Sequence, residues 1–202
     1  MSNSEILKKA KELVELLEKQ EESGKVKLSE LKPGDIFQTT GKRKYKVLEQ
    51  YTEHAKIISL GFVKENVKFD DNRTDYSKSS LKKLCDTEIL EDFEEEFGEE
   101  NIETDVADLI TVDGQKIGEV KCKVRPLTFD EARKYTGLTP NEELDDCYWT
   151  CSAWSTEERG WKYTISVVSP SGHFDGNYCN NSYGVRPVCI LKSNIFVSKV
   201  EE

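Results

Sequence analysis

The sequence is short of the residues that most often carry chemistry. It has two histidines, His54 and His173, and none of its six cysteines pair at the two-residue spacing of a zinc knuckle. No convincing metal-ligand set remains, and none is expected. There is no phosphate-cradling glycine loop and no Gly-x-Ser-x-Gly elbow. His173, beside Gly172 in a turn, reads as a solvated loop residue before it reads as a general base. No stretch approaches the ~20 apolar residues of a membrane-spanning helix. The opening MSNSEILKKAKELVELLEKQ has no apolar run of the kind that marks a secretion signal, so neither a membrane partner nor export through a leader is expected. Positive charge is scarce as well: 29 Lys and Arg stand against 39 Asp and Glu, for a net −10. Direct contact with nucleic acid is therefore disfavoured, and a partner chosen by charge would be basic.

What remains is a chain able to build a core. Its 202 residues include 3 Trp, 8 Tyr and 8 Phe, enough for one domain with an appendage. The six cysteines, with no leader before them, read as reduced thiols in a cytoplasmic setting. Residues 1–24 form the appendage. Ile6, Ala10, Leu13 and Leu17 make an apolar stripe at helical spacing over residues 4–22, and Ser23-Gly24 ends it. Such a stripe predicts an amphipathic helix that packs on its own domain, self-associates into a homo-oligomer or docks on another protein. Residues 25–202 form a single α+β domain, with strands first, helices in the middle and strands last. KYKVLEQ and HAKIISLGFV predict a hairpin or meander, DYSKSSLKKL a short helix with capping residues at Asp75 and Ser77, and EILEDFEEEF a second helix facing inward through Ile89, Leu90, Phe93 and Phe97. DLITVDGQKIGEVKCKV predicts a hairpin with Asp113-Gly114 at its tip, and LTFDEARKYTGL a helix capped by Thr128 or Asp130. No internal repeat is apparent at this level.

The densest aromatic block runs from Cys147 to Leu191. Tyr163, Ile165 and Val167 alternate with Thr164 and Ser166, which predicts a strand with one buried face. Residues 185–191 read as a buried strand interrupted by Arg186 and Pro187. Trp149, Trp154 and Trp161 are too many for a loop unless they build a floor beneath it.

This block resembles an uncharacterised domain family of Gram-positive bacteria and their phages, whose tail follows Trp-Trp-Leu-Arg-Ser-Pro and then Gly-Val-Arg-Pro. The matching residues are Tyr148, Trp149 and Ser152, then Gly184, Val185, Arg186 and Pro187. That family is similar to C-type-lectin-fold domains, including formylglycine-generating enzymes and the variable proteins of diversity-generating retroelements. The likeness spans about residues 30–192, and Thr150-Cys151 stands where the family has Leu-Arg. The resemblance implies a C-type-lectin-like core of short strands and a few short helices. It also implies a phage or mobile-element setting, in a bacterial cytoplasm or on a virion. Arg186, Trp149 and Trp154 would be structural, with the Arg186 fork saturating carbonyls beneath the ligand loops. The ligand surface would comprise Ser155, Glu157, Arg159, Trp161, His173, Asp175, Asn177, Tyr178, Asn180, Asn181 and Tyr183. Their composition is that of adaptable binding faces and equally that of ordinary turns. Cys179 and Cys189 are weighed against the cysteine pair of the formylglycine-generating enzymes and set aside, because Cys189 lies in an apolar strand.

Between Asp86 and Asp105 there are eleven acidic residues and no lysine or arginine. Such a run is either a solvated helix face or a contact for a basic protein, for which Glu94, Glu95, Glu96, Glu99 and Glu100 are the candidates. The expectation is a non-enzymatic module, without a cofactor, that recognises a protein or a surface glycan. The alternative is an acidic intracellular protein that inhibits a basic host protein, one handling nucleic acid or serving defence.

Overall fold

A computed structural model describes residues 24–39, 41 and 43–200, together with Leu7 and Lys9. The amphipathic helix expected over residues 4–22 lies outside the described residues, apart from those two. The described chain is sheet-rich with short helices and is compatible with an α+β assignment. No described helix is long and apolar enough to cross a membrane.

The strands are β1 (Lys25–Lys27), β2 (Ile36–Gln38), β3 (Lys44–Gln50), β4 (His54–Ser59), β5 (Lys64–Lys68), β6 (Ile102–Glu103), β7 (Asp105–Ile110), β8 (Lys116–Cys122), β9 (Val124–Pro126), β10 (Tyr148–Ala153), β11 (Thr164–Val168), β12 (Phe174–Tyr178), β13 (Ser182–Val185), β14 (Pro187–Lys192) and β15 (Phe196–Val200). Eight of them form one sheet in the order β1-β15-β2-β3-β4-β14-β6, with β9 beside β6 on the same edge of β14. Five form a second sheet, β12-β11-β10-β13-β5, and β7 pairs with β8 alone. The first and last strands lie side by side, Val26 opposite Val197, and β1 forms one edge of the eight-stranded sheet.

The two sheets share one continuous piece of chain. β13 belongs to the five-stranded sheet and β14 to the eight-stranded one, with Arg186 the residue between them. The run expected as a single strand over 185–191 is therefore two strands meeting at a switch point. Pro187 opens β14 opposite Pro126 of β9, so neither residue of that pair has an N–H to contribute.

Helix α1 (Ser80–Leu84) passes through a π-helical stretch (Cys85–Ile89) into α2 (Leu90–Phe97). Leu81, Cys85, Ile89, Phe93 and Phe97 are all buried, at an unbroken spacing of four. In an α-helix such a row drifts by about 40° at each step. The wider π turn rewinds it, so one face stays on the core for the whole length. Asp75 caps the 3-10 turn Tyr76–Lys78, and Ser79, not Ser77, caps α1. Helix α3 (Phe129–Lys134) begins at Thr128, whose side chain and Glu131 form a capping box. The larger core fills the space between the sheets and the α1–α2 row. A smaller one gathers Leu48, Ile58, Leu127, Tyr148, Val168 and Val188. All six cysteines are free.

Candidate functional site

Arg186 is fully buried. Its Nε donates to the Ser59 carbonyl at 2.8 Å, and Nη1 donates to the Thr139 carbonyl and reaches the Tyr148 hydroxyl at 3.5 Å. The Tyr148 ring lies 5.3 Å from the guanidinium. One side chain thus ties the end of β4, the start of β10 and the loop before β10 to the switch between the sheets. Burial lowers its pKa, and Tyr148 offsets only part of that effect. Gly184, two residues earlier, is required by packing, because a Cβ there would meet the Phe62 ring at 2.5 Å. Arg186 has no carboxylate partner among the described residues, and its Nη2 is without a hydrogen bond.

The three tryptophans do not form one floor. Trp149 lies in the core, donating from Nε1 to the Val67 carbonyl at 2.7 Å, with Phe69 and Tyr183 edge-on to its ring. Trp154 and Trp161 form a separate pair with ring centroids 6.1 Å apart. Trp154 covers Gly176 of β12 so closely that a Cβ there would come within 2.9 Å of its ring. On a strand, Gly176 and Tyr178 face the same way, so Tyr178 continues the surface that Trp154 begins. Tyr163 does not belong to the buried face expected of β11. It is 43% exposed, while Thr164 and Ser166 are buried. Ser166 bonds Thr150 inside the sheet, where Thr150 Oγ1 donates to the Ser166 carbonyl at 3.0 Å.

A cleft of about 410 Å³ is framed at one end of the β11–β12 edge, and Asp71, Asn72, Tyr163, Tyr178, Cys179 and Asn180 line it. Tyr178 is 63% exposed in its wall, and Trp161, 45% exposed, packs on Trp154. The cleft wall is held by buried Asp70, which accepts from the amides of Asn72, Arg73 and Ser80 at 3.0–3.1 Å. The Asp70 amide in turn donates to the Cys179 carbonyl at 3.0 Å, locking the 70–73 turn to the segment after β12.

The expected ligand residues divide. Tyr178 and Asn180 line the cleft, and Trp161 lies on the adjoining aromatic surface. Ser155 is not exposed as expected: it is 3% accessible and donates to Asp113 Oδ2 at 2.7 Å. Arg159 pairs with the same carboxylate, and Glu157 pairs with Lys162. The Asp113 carboxyl is held down at about 2 by hydrogen bonds from Thr111, then Ser155 and Arg159. His173 sits in the turn at the far end of β12, about 17 Å along the strand from Tyr178, with Nδ1 3.1 Å from Ser171 Oγ. Asp175 and Asn177 point to the other face of β12, and Asn181 bonds Asn177 at 3.2 Å. Tyr183 is half-buried against Trp149. Asp71 and Asn72 come from a distant part of the chain, and no local pattern marks them.

The acidic tract is largely neutralised from within. Glu96 has little exposure, accepting from Tyr45 at 2.6 Å, from Arg43 at 3.0 Å and from Thr39. It is a core anchor and not a surface contact. Lys123 bridges Glu94 at 2.8 Å and Glu99 at 3.4 Å. Asp86, Glu88, Asp92, Glu103 and Asp105 also have basic partners, so that among the described residues Glu91, Glu95 and Glu100 have no ion pair.

Arg125 was not singled out by sequence, although it sits in a second Val-Arg-Pro, residues 124–126. It is 2% exposed, bonding Glu131 at 2.5 and 2.7 Å and Asp105 at 2.6 Å. Lys56 joins the same carboxylates, at 2.7 Å from Glu131 and 3.4 Å from Asp105. Burial favours a neutral Glu131, but the Arg125 hydrogen bonds and charge outweigh it and drive the carboxyl pKa far down. Among the described residues, no group of three or more His, Cys, Asp or Glu could hold a metal ion. No family model, no curated protein and no solved structure matches this chain.

Proposed function

We propose that the protein is a non-enzymatic recognition module, built on a C-type-lectin-like frame, that binds a surface glycan or a protein loop at the edge of the five-stranded sheet. The observation that carries this reading is a preformed cleft lined by exposed Tyr163 and Tyr178, with exposed Trp161 packed on Trp154 just past the end of β10. Exposed aromatics offer apolar area with few rotamers to immobilise, while Asp71, Asn72 and Asn180 supply directional polar groups beside them. A cleft of this volume falls within the usual range for small-ligand sites. In this reading Arg186, buried at the switch between the sheets, belongs to the frame and makes no contact with ligand.

The test is binding of wild type, Trp161→Ala and Tyr178→Ala to a glycan array and to intact bacterial cells, with melting curves as control. Both variants are expected to lose binding at least tenfold while melting within about 2 °C of wild type, as surface substitutions do. Unchanged binding by both would overturn the reading. Binding abolished instead by neutralising Glu91, Glu95 and Glu100, and by salt, would favour the acidic-inhibitor alternative.

A further inference from the structure

We propose a second site, for a small oxyanion such as a phosphate or sulfate ester, where the ends of β1 and β14 meet the start of β4. A cavity of 380 Å³ lies there, lined by Lys27, Ser29, Thr52, Glu53, His54, Lys192, Ser193 and Asn194. Three of these residues are basic and only Glu53 is acidic, in a chain whose net charge is −10.

Register explains why the bases converge. Lys192 of β14 and His54 of β4 are direct cross-strand partners, so their side chains leave the same face of the sheet about 5 Å apart. Two bases in that position repel once the imidazole is charged, and an anion between them turns the repulsion into attraction. Lys27 ends β1 and also lines the cavity, with its Nζ 6.0 Å from the Phe196 ring. Neither Lys27 nor Lys192 has a carboxylate at ion-pair distance among the described residues. Lys123, Lys56 and Lys199 each do. The acids that bear on the site are Glu53 in its wall and Glu103, 3.5 Å from His54 Nε2 on the far side of β14.

The walls are set by backbone bonds that leave side chains available. Ser193 N–H donates to the Glu53 carbonyl at 2.9 Å, and Ser29 N–H donates to the Ser193 carbonyl at 2.8 Å. These bonds fix the three segments to one another, while among the described residues the hydroxyls of Ser29 and Thr52 and the Asn194 amide have no hydrogen-bond partner and serve as neutral donors. Two lysines, an imidazole and several short donors form a set suited to an oxyanion with several acceptor oxygens. The volume admits a phosphorylated sugar or a phosphoamino acid and exceeds what a single inorganic phosphate fills.

Inorganic phosphate and glucose 6-phosphate serve as probes, titrated into the full chain while backbone amide resonances are followed. Shifts confined to residues 27–29, 52–54 and 192–194 are expected, with the ester binding several-fold more tightly than free phosphate. Lys192→Ala and Lys27→Ala should each weaken binding by roughly tenfold, about 1.4 kcal/mol. Glu53→Gln should strengthen it, because the only acid in the wall is removed. Circular dichroism melts of all three variants establish that they fold. Shifts scattered over the surface, equal binding by Lys192→Ala, or weaker binding by Glu53→Gln would overturn the proposal.

Discussion

Two arginines of this protein, each the middle of a Val-Arg-Pro, are buried on either side of the same strand pairing, and they are stabilised in opposite ways. Pro126 lies opposite Pro187 where β9 meets β14, and Arg125 and Arg186 are the residues just before them. Arg125 turns into a cluster of two cations and two anions, with Lys56, Asp105 and Glu131, whose charges cancel. Among the described residues Arg186 meets only carbonyl oxygens, a hydroxyl and a ring. One cluster depends on charge; the other depends on geometry, because it holds two sheets and a loop at their switch point. The lesson is that a buried arginine cannot be read from its own tripeptide. What surrounds it is contributed by Asp105 and Glu131 in one case and by Ser59 and Thr139 in the other.

The comparison can be broken first at its charged side. Glu131→Gln leaves Arg125 and Lys56 sharing the single charge of Asp105, and it weakens the cap of α3. Removing one partner of a buried ion cluster costs about 3–5 kcal/mol. A fall in melting temperature of roughly 10 °C is expected in a chain of this size. Arg186→Met should cost less, about 1–3 kcal/mol. It orphans the Ser59 and Thr139 carbonyls, yet it also relieves an uncompensated buried charge. Chemical denaturation of both variants checks the order; a larger loss for Arg186→Met would mean that the switch point, and not the cluster, limits stability.

Acid sharpens the same contrast. Glu131 titrates far below its unfolded value of about 4.3. Its contribution is therefore complete above that value and is lost as pH falls toward the folded pKa. The gap between wild type and Glu131→Gln should shrink steadily below about pH 4.5. An arginine stays charged in both states over this range, so the gap for Arg186→Met should stay flat. Melting curves between about pH 3 and 7 separate the two.

Local signals made much of the frame legible. Asp113-Gly114 marked its hairpin, Thr128 was one of the two caps expected for α3, and of Ile89, Leu90, Phe93 and Phe97, expected to face inward, all but Leu90 are buried. Each rests on residues close in sequence, where hydrogen bonding and period decide the outcome. The pairing of β1 with β15, the π stretch at Cys85–Ile89 and the Arg125 cluster were not legible. Asp105 and Glu131 lie 20 and 6 residues from Arg125, and Lys56 lies farther still. The candidate site was half legible. Its aromatics stood out by composition, but Asp71 and Asn72 enter only because Asp70 pins a remote turn against Cys179. Ser155 and Glu96 were misjudged for the same reason, since each looks exposed until Asp113, or Tyr45 and Arg43, is brought to it by the fold.

The smallest expected effect bears on the two prolines themselves. Pro187 opens β14 opposite Pro126, whose carbonyl accepts from Arg125 Nη1 at 3.1 Å and from the Cys151 thiol at 2.9 Å. No ladder bond there waits for an N–H at position 187, so Pro187→Ala forfeits none and gains none. Its cost is the added freedom of the unfolded chain, about 0.4–1 kcal/mol. The same substitution at Pro126 should cost a similar amount, because proline's role at both positions is to fix the backbone and not to fill a ladder. If Pro187→Ala proves as damaging as Arg186→Met in chemical denaturation, the turn between the sheets, and not the arginine's hold on Ser59 and Thr139, is what keeps them in place.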